Sequence, residues 1–275
     1  MFSISKGQLM AIGGVSLLFV ALLFANRIAP SKNLAEVKSE NGNADLSKII
    51  SASKAQLPED KKKILNELEE KVQSSAEEDR LPYLDTLIRF CDKSRQPYVA
   101  AFYAEQKADA DPSKGNWFDA GNRYYMITKF TKDQERALLF SKAILCYNHA
   151  LDLSPKDLDL KTSLGICYVE GTAEPMKGIG LLRDVVAADS NHVDAQLNLG
   201  LFAVKSGQYD KAVARFKKVL AIDHNNLEMY LYLADCYEKS GNKRSAIESL
   251  EKYRDLVTDV TVKNEVQNYI NKLTN

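Results

Sequence analysis

The sequence predicts an all-α protein made of stacked helical hairpins, and three observations carry this prediction. The segment 193–226 matches the residues that follow it when it is shifted by 34 positions, so that Leu199 falls on Leu233. A fixed period of this length is typical of repeat arrays whose units stack side by side. Apolar residues within each period recur at steps of three and four, the spacing of an amphipathic helix. Gly207 and Gly241 recur inside the period and predict the turn between the two helices of each hairpin.

The chain before the repeats divides into three parts. Residues 7–26 carry no charged side chain, and their apolar run is near the lower length limit for crossing a bilayer. We therefore predict a single N-terminal transmembrane helix, the signal-anchor of residues 1–27, and a cleaved signal peptide stays open as the alternative. The polar residues 28–44 predict a flexible linker. Residues 45–80 predict two helices that lack the repeat pattern and either cap the array or form a contact surface.

Five repeats and one terminal helix account for the rest of the chain. The predicted repeats are 81–113, which is divergent, 114–157, which carries an insertion, 158–192, 193–226 and 227–260. Residues 261–275 place their apolar side chains on one stripe of a helix. They predict a C-terminal capping helix, because the end of an uncapped array would expose its core.

The repeats resemble the tetratricopeptide repeat (TPR) family. The matching positions are Leu199, Gly200, Ala212 and Phe216 in one unit, Leu233, Tyr237 and Ala246 in the next, and Trp117, Gly121 and Tyr124 upstream. The resemblance implies a TPR-type α-α superhelix, or solenoid, whose first helices line a concave groove. It also implies a scaffold that binds another protein or peptide and is not an enzyme.

The resemblance implies thirteen groove residues. They are Phe118, Asn122, Tyr125, Met126, Thr162, Ile166, Val169, Leu197, Leu201, Val204, Leu231, Asp235 and Glu238. This set is mainly apolar with an acidic end, so we expect an amphipathic helix or an apolar segment as the partner. The alternative is that some of these leucines pack between units or against the capping helix.

Composition and motifs argue against other classes of function. Lysine plus arginine and aspartate plus glutamate are 37 each, so the sequence shows no bulk positive charge for nucleic acid. The four cysteines form no CxxC pair, and the histidines have no metal-ligand spacing. Residues 171–180 are rich in glycine but lack the order of a phosphate-binding loop. We expect no cofactor, no metal and no catalysis.

Similarity to bacterial membrane-anchored TPR proteins implies a single-pass protein of the bacterial inner membrane. We expect the folded part in the periplasm, and the cytoplasm stays open because basic residues follow the apolar run. Two other functions stay open as well. One is an accessory factor for envelope assembly, of the kind that acts in cytochrome c maturation, and the other is a self-associating, homo-oligomeric module.

Overall fold

The computed structural model describes residues 39–76, 79–131 and 133–274, and its regular elements in these ranges are helices. The thirteen described α-helices are α1 Ser39–Ala55, α2 Glu59–Ser74, α3 Arg80–Lys93, α4 Pro97–Ala110, α5 Lys114–Ile127, α6 Asp133–Leu153, α7 Leu158–Gly171, α8 Pro175–Ala188, α9 Val193–Lys205, α10 Tyr209–Ile222, α11 Glu228–Lys239, α12 Lys243–Leu256 and α13 Val260–Thr274. The all-α prediction is confirmed.

The N-terminal predictions fall largely outside this description. The transmembrane segment predicted for residues 1–27 lies outside the described residues. Within the described ranges, no helix combines the length and the apolar character that a bilayer crossing needs. Helix α1 begins at Ser39, inside the range 28–44 predicted as linker. It therefore begins before residue 45, where the sequence predicts the first capping helix to begin.

The folded chain forms two compact units that divide after Asp189. In the N-terminal unit (residues 39–189 as described), the hairpins α3–α4, α5–α6 and α7–α8 stack through α4–α5 and α6–α7 contacts. Helices α1 and α2 pack on this stack, against α4 and α3 respectively. In the C-terminal unit (residues 190–274), the hairpins α9–α10 and α11–α12 stack through α10 and α11, and α13 packs on α12. Each unit is therefore a stack of helical hairpins with one or two further helices packed on it.

Small residues let the two helices of a hairpin approach closely. A Cβ atom built on Gly178 of α8 would lie 2.2 Å from the carbonyl oxygen of Gly165 on α7, so the two backbones touch there. In the α9–α10 hairpin, the ring of the fully buried Phe216 fills the space beside Gly200. The predicted turn glycines adopt a left-handed conformation, with φ of 72° at Gly207 and 81° at Gly241.

Two half-buried carboxylates join helices of the N-terminal unit. Glu105 on α4 accepts a hydrogen bond from the Tyr124 hydroxyl on α5 at 2.5 Å and from Lys142 Nζ on α6 at 2.8 Å. Glu69 on α2 accepts in the same way from Tyr103 on α4 and from Lys54 Nζ on α1. Burial and the neighbouring Glu105 raise the pKa of Tyr124. Each carboxylate thus joins three helices and satisfies polar groups that would otherwise be costly to bury.

The four cysteines are free and buried, and each fills the space of a small apolar side chain. Burial is the main cause that raises the pKa of Cys91 and Cys236 to about 12, and it also raises the pKa of Cys146 and Cys167. The thiolate is the reactive form, so these side chains are chemically quiet in the folded chain.

We expect Gly178→Ala to lower the free energy of unfolding by about 1–3 kcal/mol, because its methyl group would press on the backbone of α7. The measurement is urea unfolding followed by circular dichroism. Gly180→Ala in the same helix is the matched control, since no atom lies within 4 Å of its added Cβ. The control should be neutral or stabilise the protein by up to about 1 kcal/mol through helix propensity. Equal effects of the two changes would show that α7 and α8 do not touch in this way.

Candidate functional site

The predicted groove residues all lie on first helices of hairpins. On α5 the structure places Phe118, Asn122, Tyr125 and Met126, and on α7 it places Thr162, Ile166 and Val169. The C-terminal unit carries the other six, with Leu197, Leu201 and Val204 on α9 and Leu231, Asp235 and Glu238 on α11. Each unit is compact by itself. We call the predicted groove residues on α5 and α7 the N-terminal wall and those on α9 and α11 the C-terminal wall.

Polar groups on the α5 wall are held in place by other helices. The Tyr147 hydroxyl of α6 donates to Asn122 Oδ1 at 2.7 Å. Lys129 Nζ donates to Glu170 Oε2 at 2.8 Å and lies 4.2 Å from the centre of the Tyr125 ring. These contacts fix the α5 wall against α6 and the end of α7.

The residues of the N-terminal wall differ in how far they are available to a partner. Met126 is 55% exposed, and Phe118, Ile166 and Val169 are half-buried. Thr162 is buried, and its hydroxyl donates to the Leu158 carbonyl within the same helix at 2.8 Å. Thr162 therefore belongs to the packing of α7 and offers little surface to a ligand.

The α9 wall presents one apolar stripe. Leu197, Leu201 and Val204 follow each other at steps of four and three and are half-buried. They pack at the edge of a core that contains Phe216 and Leu233. The exposed parts of these three side chains lie on one face of α9, since residues at these steps share a helix face.

The C-terminal helix α13 takes up part of the predicted groove. Leu231 packs in a cluster with Leu250 of α12 and Ile270 of α13. The Tyr269 hydroxyl of α13 donates to Glu238 Oε2 at 2.7 Å. Partial burial and this carboxylate raise the pKa of Tyr269 to about 12. Two of the six predicted groove residues in this unit are thus engaged by the chain's own last helix.

Tyr269 lies beside Ile270 on the predicted capping helix, and the structure gives its hydroxyl a polar contact. Its side chain is 43% exposed, and its hydroxyl reaches Glu238 across the neighbouring helices. A tyrosine has an apolar ring and a polar hydroxyl. Its spacing in the sequence therefore does not show whether the side chain turns toward the core or toward a polar partner. No signal in the sequence pointed to Glu238 as its partner.

Carboxylates outnumber lysines on the two first helices of the C-terminal unit. Helices α9 and α11 carry Asp194, Glu228, Asp235 and Glu238, against Lys205 and Lys239. Asp235 accepts from Lys239 Nζ at 2.9 Å, and Glu228 accepts from the Tyr232 hydroxyl at 2.7 Å. These two helices therefore carry more carboxylates than lysines.

The histidines have structural contacts in the part of the chain that the structure describes. His192 caps α9, since its side chain accepts from the Ala195 amide at 3.3 Å. His149 stacks on Trp117 with ring centres 4.4 Å apart, and His224 Nδ1 lies 2.5 Å from the Leu220 carbonyl oxygen. Among the described residues, no three His, Cys, Asp or Glu side chains are placed to hold a metal ion. Shallow, open depressions lie at the turns 207–211 and 154–157.

Residues 203–259 match the family model described as tetratricopeptide repeat. The solved structure of the MamA protein is 19% identical, covers 64% of this chain and 91% of its own, and gives a TM-score of 0.52. A structure of MamA residues 41 to the end from Desulfovibrio magneticus RS-1 is 17% identical, covers 66% of this chain and 97% of its own, and gives 0.53. No curated protein matches this chain significantly.

We expect Ile270→Ala to loosen α13 by roughly 2–5 kcal/mol, because the isoleucine is buried against Leu231 and Leu250. The measurement is hydrogen exchange of the α13 amides, which should become faster. Lys272→Ala, at an exposed position of the same helix, should leave the exchange unchanged. If α13 in the unchanged chain exchanges as fast as an unfolded peptide, the coverage of Leu231 described above is wrong.

Proposed function

Since residues 203–259 are a tetratricopeptide repeat match and the fold is that of TPR proteins, we propose that this chain is a non-enzymatic scaffold that binds another protein. The family resemblance expected from the sequence is confirmed. Binding would occur along the walls made by the first helices of the hairpins. The partner would be an amphipathic helix or an extended apolar segment.

The observation that carries this proposal is the stripe of Leu197, Leu201 and Val204 on α9. An apolar stripe at this spacing matches the apolar face of a second helix laid against it, which is one of the common ways to bind a peptide. Covering the stripe would remove apolar surface from water, at about 25 cal/mol per Å².

The charges on α9 and α11 favour a partner that carries positive charge. Asp194, Glu228, Asp235 and Glu238 outnumber the two lysines of these helices. Complementary charge steers encounter and suppresses partners of the wrong sign more than it adds affinity. We therefore infer that the partner segment is amphipathic and carries lysine or arginine beside its apolar face.

A purely binding role agrees with the contacts of the reactive side chains in the described ranges. The thiols are buried with raised pKa values, and His192 is used as a helix cap. Tyr124 and Tyr103 donate to half-buried carboxylates that join helices. These groups support the fold, and we propose no reaction for them.

Anchoring in the bacterial inner membrane through residues 7–26 is the second part of the proposal. The apolar run in this range is the support for it, and the polar residues that follow would act as a tether. We propose that the folded part lies in the periplasm. The anchor would concentrate the scaffold, and any bound partner, at the membrane surface.

Self-association is a second candidate function, and one observation favours it. Val260 is 68% exposed and Leu256 is 48% exposed at the α12–α13 end of the C-terminal unit. Apolar side chains at the end of a repeat array are suited to contact another array end. Photo-crosslinking from Val260 separates this candidate from binding of a different protein, since self-association there would give an adduct of twice the chain's mass.

We expect a photo-reactive p-benzoylphenylalanine at Leu201 to crosslink a partner in native membranes. Ala214→p-benzoylphenylalanine, at an exposed position of α10 within the same unit, is the matched control and should give no adduct. The adduct at Leu201 should weaken at high salt, because screening reduces the attraction of a basic segment to the carboxylates of α9 and α11. An adduct of twice the chain's mass would identify self-association. Absence of any adduct at Leu201 and at Met126, in a folded chain, would overturn groove binding.

We expect protease added to spheroplasts to digest the folded part, since only a domain outside the inner membrane is accessible there. The readout is loss of the full-length chain, with a cytoplasmic protein as the control that stays intact. Digestion only after the inner membrane is broken would place the folded part in the cytoplasm and leave the groove proposal untouched.

A further inference from the structure

Helix α13 covers the α11 end of the C-terminal wall, and few side chains hold it there. Of the fifteen described residues of α13, Ile270 alone is buried. Val266 and Leu273 are half-buried beside it and pack in the cluster that contains Leu231 of α11 and Leu250 of α12. Helix α11, by comparison, has twelve residues and buries four of them. The hold of α13 on the unit is therefore weak for a helix of its length.

The polar contacts of α13 add little to this hold. The Tyr269 hydroxyl donates to Glu238 Oε2 at 2.7 Å, and both residues are exposed. Arg254 of α12 donates to Gln267 Oε1, and these two residues are half-buried. A hydrogen bond that water can replace contributes only a small net free energy. These bonds therefore define the position of α13 more than they keep it in place.

The connection of α13 to the unit leaves the helix free to move as a whole. It is the last described helix, and three non-helical residues, 257–259, join it to α12. Asp259 caps it by accepting from the amides of Thr261 and Val262 at 2.7 and 3.2 Å. This cap moves with the helix. Terminal elements with few buried contacts open at a lower free energy than the rest of a fold.

Release of α13 would uncover an apolar surface on the hairpin α11–α12. The surface consists of Leu231 and Ala234 on α11 and of Ile247 and Leu250 on α12, and Glu238 lies at its edge. An exposed apolar patch of this kind marks a site that another molecule covers. A replacement for α13 must therefore supply apolar side chains for the patch and a hydrogen-bond donor for the carboxylate.

The sequence of α13 shows which pattern this surface accepts. Val266, Ile270 and Leu273 follow each other at steps of four and three, so they share one face of the helix. Tyr269, which precedes the buried Ile270, supplies the donor for Glu238. Helix α13 also carries two lysines and one glutamate. It thus has the character of the basic amphipathic segment that we propose as the partner.

We propose that α13 is a displaceable occupant of the C-terminal wall, which a partner helix of the same pattern replaces. The partner carries three apolar residues at the spacing of Val266, Ile270 and Leu273, with a hydrogen-bond donor before the middle one. The inference rests on the proposed scaffold function, and it names the pattern of the partner and a competitor within the chain. Because α13 is linked to its site, its effective concentration there is high, and only a tightly bound or locally concentrated partner displaces it.

The test measures binding of a peptide copy of α13 to the full chain in detergent. The probe is a synthetic peptide of residues 259–275 with fluorescein at its N-terminus, followed by fluorescence anisotropy. Ile270→Ala in the chain should raise the affinity for the peptide at least about tenfold, because it leaves a larger fraction of the wall uncovered. Lys272→Ala in the chain is the matched control, since this side chain is exposed, and it should leave the affinity unchanged.

A second comparison locates the peptide on the wall. A peptide with Tyr269→Phe lacks the hydroxyl that donates to Glu238, and it should bind the Ile270→Ala chain several-fold more weakly than the unchanged peptide. When the chain also carries Glu238→Ala, the two peptides should bind equally, as expected for two groups that interact directly. A peptide with Ile270→Asp should not bind.

Two outcomes would overturn the proposal. One is equal affinity of the unchanged and Ile270→Ala chains for the peptide, since α13 would then not compete for the wall. The other is no binding by the Ile270→Ala chain when circular dichroism shows that it is folded. If that chain is unfolded, Tyr269→Phe in the chain decides in its place, since it removes one hydroxyl and should raise the affinity by a smaller factor.

The peptide measurement and the crosslink at Leu201 test different claims. The measurement needs no partner protein, so its failure leaves binding at the α9 stripe untouched. Peptide exchange without any adduct at Leu201 or Met126 would contradict the proposed scaffold function and keep α13 as a displaceable helix.

Discussion

The close approach of paired helices is the constraint on which this molecule depends. Where Gly178 meets the backbone of Gly165, two helices come closer than any side chain would allow, and the larger residues around them then close the remaining gaps. A single hairpin built in this way still has an uncovered face. Stacking on the next hairpin covers this face, so the stability of each unit depends on the stack of hairpins. The apolar walls arise from the same arrangement, because the first helix of each pair is covered on one side only.

The sequence predicted the hairpins well because their determinants are local. Gly207 and Gly241 mark their turns through backbone freedom, and Leu199 and Phe216 mark the buried faces through helical spacing. The start of α1 at Ser39 was missed, since the polar residues there favour a linker and the helix is weakly amphipathic. Local sequence patterns therefore predict which residues form a hairpin better than they predict where a helix begins or ends.

The candidate site was predicted less completely, because exposure depends on residues distant in the chain. Family position placed Thr162 and Leu231 in the groove, yet Thr162 is buried within its own unit and Leu231 lies under Ile270. Phe130 stood outside the predicted site and is the most exposed large apolar side chain of those described. Its turn lies in the insertion of the second predicted repeat, where the family pattern gives no guidance. The carboxylates that join three helices were equally invisible, since Glu105 and Tyr124 meet only after folding.

The bond between Tyr269 and Glu238 has a consequence for selectivity by length. A short ligand that covers only the α9 stripe leaves α13 undisturbed. A longer ligand that reached Leu231 would have to displace Ile270 and break this bond first, so its observed affinity would be reduced by the free energy that holds α13 in place. If partners bind the α9 stripe as proposed, the last helix would favour segments of a few turns over longer ones, although it does not itself contact the stripe.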